Sequence, residues 1–185
     1  CVMVEIDKMV VDASIEFISQ TSSMLSDKRI ELLIEDGVAY AKKAKSEGIK
    51  FDVILVDSTD PIGPAAPLFG HEFYEDLYHC LSDDGIIVSQ GESPFYISDM
   101  QSKLMSIINK LFPVVNIYNF HNLTYPGGLW SFTYASKKYH PVKDFNETRV
   151  KSSGLEFGYY NSEIHKGAFA LPEFQKKSIG QYIKG

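Results

Sequence analysis

The chain has 185 residues, 44% hydrophobic and 23% charged, with a formal net charge of −6. That length suits one soluble domain with a substantial core, and the negative balance argues against nucleic acid and fits cationic small molecules. Two cysteines, Cys1 and Cys80, suit a reducing compartment such as the cytoplasm; no apolar run reaches the roughly 18–20 residues of a membrane span, and the five histidines lack metal-ligand spacing.

Residues 1–6 read as a buried strand ended by Asp7, followed by a helix at about 8–19 in which Val10, Val11, Ile15 and Ile18 fall near helical spacing. The chain opens with this strand already under way, so a longer polypeptide is expected. Thr21 to Lys28 reads as a polar loop and Ile30 to Ile34 as a second strand. Asp36-Gly37 then opens a helix through about Ser46, stopped by Gly48. The third strand, 51–56, carries the unalternating run Val53-Ile54-Leu55-Val56, the pattern of a strand buried on both faces of a parallel sheet. It ends at Asp57, with Asp60 three residues later, before a Pro/Gly-rich loop.

A helix is expected at about 71–81, a turn at Asp83-Asp84-Gly85, and a fourth strand from Ile86 to Gln90. An amphipathic helix, Ile97 to Leu111, closes at Pro113. Val114 to Phe120 and Leu129 to Ala135 read as two strands joined through Tyr125-Pro126-Gly127-Gly128. Beyond Lys137 the pattern weakens to loops and one helix near 172–179, and Asn146-Glu147-Thr148 reads as a surface loop. The order is that of an α/β, doubly wound, Rossmann-like sheet, mostly parallel, with an antiparallel C-terminal strand pair.

Ligands of such sheets bind at the carboxyl ends of the strands, where Asp57 and Asp60 would face a cation. Glu5 ends the first strand and Asp36 follows the second. A carboxylate after the second strand of a nucleotide fold accepts hydrogen bonds from ribose hydroxyls, and an Asp-Gly after the next strand suits an adenine amine. The plainer reading makes Asp36 a helix cap and Glu5 a solvated strand end. No P-loop, serine elbow or CxxC motif occurs, which argues against phosphoryl transfer, thiol redox and zinc chemistry.

The segments VEID (4–7), EDG (35–37), DVILVDSTDPIGPA (52–65), DDGIIVSQGESPF (83–95), LFPVV (111–115), TYPGGLW (124–130) and YYNSEIHKGAFALP (159–172) resemble the polyamine aminopropyltransferases, in family order. The resemblance covers the whole chain, but only the C-terminal two-thirds of a typical member. It implies one catalytic Rossmann-like domain of the methyltransferase type at 1–185, incomplete at its N-terminus: a small β-domain, the first strand and a glycine-rich loop are missing.

The implied reaction moves an aminopropyl group from decarboxylated S-adenosylmethionine to a diamine, usually putrescine, releasing methylthioadenosine. No cofactor beyond that cosubstrate and no metal are implied, and a homodimer is. By the same resemblance Glu5 holds the ribose, Asp36 and Gly37 meet the adenine, and Pro64 and Leu68 line its pocket. Asp57 takes the proton beside the attacking amine; Asp60 anchors the diamine, with Gln90 and Tyr125 completing its site. Competing readings are a putrescine N-methyltransferase using S-adenosylmethionine, and an inactive fragment or assembly module. For Trp130, Tyr159, Tyr160 and His165, packing is the expected role.

Overall fold

The structure, a computed structural model, describes residues 1–58, 63–125 and 127–185, without the side chains of 63–65. It divides into two compact units, 1–49 and 50–185.

In the smaller unit, β1 (Val2–Glu5) and β2 (Glu31–Ile34) pair in parallel, from Val2 opposite Glu31 to Glu5 opposite Ile34. The helix after β1 is shorter than its apolar spacing predicts. Asp7 caps α1 (Lys8–Phe17) by accepting from the Met9 N–H at 2.8 Å, and Ile18, at φ −128°, breaks the helical run. A short α2 (Ser19–Ser22) then occupies the start of the predicted polar loop. Ser22 Oγ holds it there, donating to the carbonyls of Ser14 and Ile18. The third helix, α3 (Gly37–Ser46), begins at Asp36 as predicted and ends at Gly48, whose φ of +71° is the left-handed stop that glycine adopts without strain.

The larger unit holds a four-stranded sheet in the order β3-β4-β6-β5. Its strands are β3 (Phe51–Val56), β4 (Leu81–Gln90), β5 (Val114–His121) and β6 (Leu129–Ser136); β3 and β4 are parallel, and β6 runs antiparallel to both β4 and β5. The predicted turn at 83–85 lies inside β4. Phe51 pairs with Leu81 but Val53 with Ile86, so 82–85 form a bulge. A Cβ on Gly85 would come within 2.8 Å of Leu81 Cβ, so the bulge closes only around glycine.

The helices α4 (His71–Cys80) and α5 (Ser98–Leu111) pack on the sheet. Leu104, Met105 and Ile108 of α5 are buried, as are Ile87, Val115, Ile117 and Ala135 of the strands. Burial pushes the phenols of Tyr74 and Tyr118 up to about 12.

Three expectations need correction here. The strand β3 is not buried on both faces: it is the outer strand of its sheet, and Val53 and Leu55 are 55% and 73% exposed. An apolar run states what a strand would tolerate beside it, not what is packed there. The Pro/Gly-rich loop contains a 3-10 helix, Gly63–Phe69. The C-terminal region holds three helices rather than one: α6 (Glu147–Ser152), α7 (Ser162–Ala168) and α8 (Glu173–Ile179). Asn146 and Asn161 cap the first two, so Asn146 opens a helix rather than lying in a surface loop. Among the described residues no helix is long and apolar enough to cross a membrane.

Candidate functional site

Within the smaller unit, Glu5 and Asp36 stand at the carboxyl ends of two hydrogen-bonded parallel strands. The Glu35 N–H donates to the Glu5 carbonyl at 3.1 Å, continuing the β1–β2 ladder and bringing the two acids to one edge. Glu5 Oε1 accepts from the Asp7 N–H at 2.9 Å, which fixes the carboxylate and leaves Oε2 without a partner among the described residues. Asp36 Oδ1 accepts from the Val38 N–H at 2.7 Å, so Asp36 caps α3 as the plainer reading expected. A cap uses one oxygen, and the exposed carboxylate keeps a second. Gly37 carries no steric demand of the fold, since a Cβ there would meet nothing within 4 Å.

Within the larger unit, Asp57 and Gln90 are brought side by side. Val56 pairs with Ser89, so the next residue of each strand lies at the carboxyl edge of the parallel β3–β4 pair. Asp57 is exposed there. Leu68 is half-buried in the 3-10 helix that follows. Asp60, and the side chain of Pro64, lie outside the described residues. Tyr125 stands on the β5–β6 connection, half-exposed and stacked on Trp130 with ring centroids 4.7 Å apart. That loop turns through Gly127 and Gly128 at φ +82° and +66°. A Cβ on Gly127 would fall 2.7 Å from the Tyr96 ring, so this glycine is required twice over. No hydrogen bond joins Tyr125 to Asp57 or Gln90 among the described residues.

One residue escaped the sequence reading. Gln90 Nε2 donates to Glu92 Oε1 at 3.0 Å, and Glu92 is buried with its backbone at φ +64°, in the left-handed region. For a residue with a Cβ that conformation costs about 1–2 kcal/mol, so the surrounding structure must hold it. The signal in the sequence was an acid two positions past a strand end, in Gly91-Glu92-Ser93.

His165 is occupied structurally. Its Nε2 faces the Pro141 carbonyl at 2.8 Å and its Nδ1 the Tyr160 hydroxyl at 3.1 Å. The carbonyl can only accept, so Nε2 carries a proton and donates to it. The ring also stacks on Phe145, centroids 4.2 Å apart. It lines a cavity of about 960 Å³ with Tyr118, Phe132, Tyr134 and Phe145, which contains none of the predicted site residues.

Residues 1–147 match the family model described as the spermine/spermidine synthase domain. The polyamine aminopropyltransferase of Clostridioides difficile (strain 630) is 46% identical over 97% of this chain and 63% of its own length. That of Thermotoga petrophila is 42% identical, over 97% of this chain and 60% of its own. Among solved structures, a spermidine synthase in complex with the transition-state analogue AdoDATO superposes with a TM-score of 0.91 at 39% identity, covering 97% of this chain and 61% of its own. The spermidine synthase of Thermotoga maritima gives 0.88 at 39% identity, covering 97% and 60%. The chain thus spans somewhat over half the length of these relatives.

Proposed function

The chain belongs to the spermine/spermidine synthase domain family, and from that premise we propose that it forms the cosubstrate- and amine-binding part of a spermidine synthase. The enzyme would transfer an aminopropyl group from decarboxylated S-adenosylmethionine to putrescine. The observation that carries this reading is the placement of Asp57 beside Gln90 at the carboxyl edge of β3 and β4, where an open α/β sheet receives its ligand. The relative bound to a transition-state analogue supports the choice of cosubstrate.

The donor is a sulfonium, so the carbon next to sulfur is already activated. What the site must supply is a neutral amine, and freeing the lone pair of an alkylamine of pKa about 10.4 at pH 7 costs roughly 4.6 kcal/mol. An ordinary aspartate is too weak a base to do this alone. Desolvation and the neighbouring sulfonium acidify the ammonium, and Asp57 orients it and receives its proton. The amine nitrogen then forms a bond to the aminopropyl carbon; the C–S bond breaks and methylthioadenosine leaves with the electron pair. Alignment of nitrogen and carbon supplies much of the rest.

Asp60 pairs with the far ammonium, which keeps its proton. Gln90, oriented by Glu92, and Tyr125, set on Trp130, complete the amine site with neutral hydrogen bonds. Glu5 takes the ribose hydroxyls with Oε2, Asp36 and Gly37 meet the adenine, and Pro64 and Leu68 line its pocket. The absence of any steric need for glycine at 37 favours a ligand reason for it. The reaction requires no metal or further cofactor, and the enzyme would act as a cytoplasmic homodimer.

The test is to supply the full-length protein with decarboxylated S-adenosylmethionine and a panel of diamines while following methylthioadenosine. Release that depends on putrescine is the expected result. No product with any diamine, alongside methyl transfer from S-adenosylmethionine, would overturn the reading.

A further inference from the structure

Glu92 holds Gln90 from a backbone conformation that its own side chain disfavours, and the structure shows what keeps it there. Ser131 Oγ donates to the Glu92 carbonyl at 2.7 Å. Gln101 Nε2 spends both its hydrogens on the same turn, one on Ser131 Oγ and one on the Gly91 carbonyl, each at 2.9 Å. The Gly91 N–H in turn donates to the Ser131 carbonyl at 2.9 Å. Three successive peptide groups through the Gly91-Glu92 turn are therefore gripped from β6 and α5.

The grip continues further back. Gln101 Oε1 accepts from Gln175 Nε2 of α8 at 3.2 Å. Gln175 forms a two-bond amide pair with Asn119 of β5, donating to Asn119 Oδ1 at 3.2 Å and accepting from Asn119 Nδ2 at 2.7 Å. The carboxamides of Gln101, Gln175 and Asn119 meet nitrogen to oxygen, so none of them can turn over without setting oxygen against oxygen. Gln101, Ser131 and Gln175 are at most 1% exposed. Docking α5 and α8 on a sheet asks only for apolar side chains; a polar chain with one permitted direction, ending on one left-handed residue, fixes the orientation of that residue.

Building on the proposed amine site, we infer that Gln101 and Ser131, backed by Gln175, are positioning residues that set the Glu92–Gln90 pair for the diamine. None of the three touches substrate. They act through the backbone of Gly91 and Glu92, so their loss loosens diamine recognition and leaves the cosubstrate side untouched.

The test uses the full-length enzyme with Gln101→Leu, Ser131→Ala and Gln175→Leu, measuring KM for putrescine and for decarboxylated S-adenosylmethionine separately. Loss of such hydrogen bonds should raise the putrescine KM roughly three- to tenfold in Gln101→Leu and Ser131→Ala, and about twofold in Gln175→Leu. The cosubstrate KM should stay within about twofold of wild type in all three. A crystal structure of Ser131→Ala should show the Gln90–Glu92 hydrogen bond broken or Glu92 out of the left-handed region.

Folded variants with an unchanged putrescine KM, or with both KM values raised alike, overturn the inference. If Gln101→Leu fails to fold, Ser131→Ala, which removes one oxygen atom, decides the matter. A wild-type enzyme that transfers no aminopropyl group to any diamine overturns the proposed function and this inference together. An active wild type whose variants keep its putrescine KM overturns this inference alone.

Discussion

Residues 1–49 bury four side chains, Val11, Ser22, Ala41 and Ala44, and leave Ile6, Met9, Ile15 and Phe17 more than half exposed. Residues 50–185 bury a continuous set running from Phe69 to Ile179, around a sheet with helices packed on it. The smaller unit owes its shape to backbone devices: one parallel strand pair, two aspartate caps and a left-handed glycine. The larger owes its shape to interior packing. The proposed roles divide along the same line. Glu5 and Asp36, proposed for the nucleoside, sit at strand ends of the first unit, and Asp57, Gln90 and Tyr125, proposed for the amine, at strand ends and a hairpin loop of the second. Recognition of a ribose needs little more than two well-placed acceptors, whereas alignment of a reacting amine needs a support that does not yield.

The widest gap between the two halves should be in turnover. In the full-length enzyme Asp57→Asn should lower kcat by about 10²- to 10⁴-fold with cosubstrate binding kept, while Glu5→Gln should chiefly raise the cosubstrate KM. Steady-state kinetics with both substrates varied would check this, and a Glu5→Gln enzyme crippled in kcat with unchanged cosubstrate KM would erase the division of labour.

Next comes stability. In the full-length enzyme, Leu104→Ala should cost about 2–5 kcal/mol, whereas Ile15→Ala should stay within about 0.5 kcal/mol; urea unfolding of both variants measures the contrast. A smaller effect attaches to Asp36→Ala, where the lost cap is worth about 1 kcal/mol. Loss of α3 helicity together with a weaker cosubstrate KM is the expected pair of readings, and a change in helicity alone would leave Asp36 as a cap and nothing more.

A further effect separates the halves at alkaline pH. The tyrosines of the larger unit that ionise last, Tyr74 and Tyr118, do so near 12 because burial disfavours the phenolate. Both values lie above that of an unfolded tyrosine. The unfolded chain therefore loses these protons first, and stability should decline as pH rises from about 10 toward 12. Absorbance titration should show these two phenolates forming after the exposed ones, and Tyr118→Phe should remove part of the late phase.

Elements with a full period and a clear stop were legible. The helix opened by Asp36-Gly37 and the helix ended before Pro113 lie where spacing put them, as do the hairpin strands on either side of the Gly127-Gly128 turn. Two short helices were not, because six or seven residues carry less than two turns of apolar pattern. Their asparagine caps were readable only in hindsight. The exposure of Val53 and Leu55 was hidden for a different reason: burial belongs to neighbours, which a local run does not specify. Within the candidate site, Asp57 and Gln90 came together through strand register, which follows from two parallel strands ending at the same edge. The position of Glu92 just past a strand end was legible, but its left-handed conformation was not, because that is held by Ser131 and Gln101, some 39 and 9 residues away along the chain.

Trp130 is the single tryptophan of the chain, and its ring lies against Tyr125. Its emission is therefore an intrinsic optical signal from the loop proposed to face the amine, obtainable from this chain with no added label. Excitation at wavelengths that tyrosine does not absorb would follow, in this chain, an amine arriving at Tyr125 as proposed, in real time.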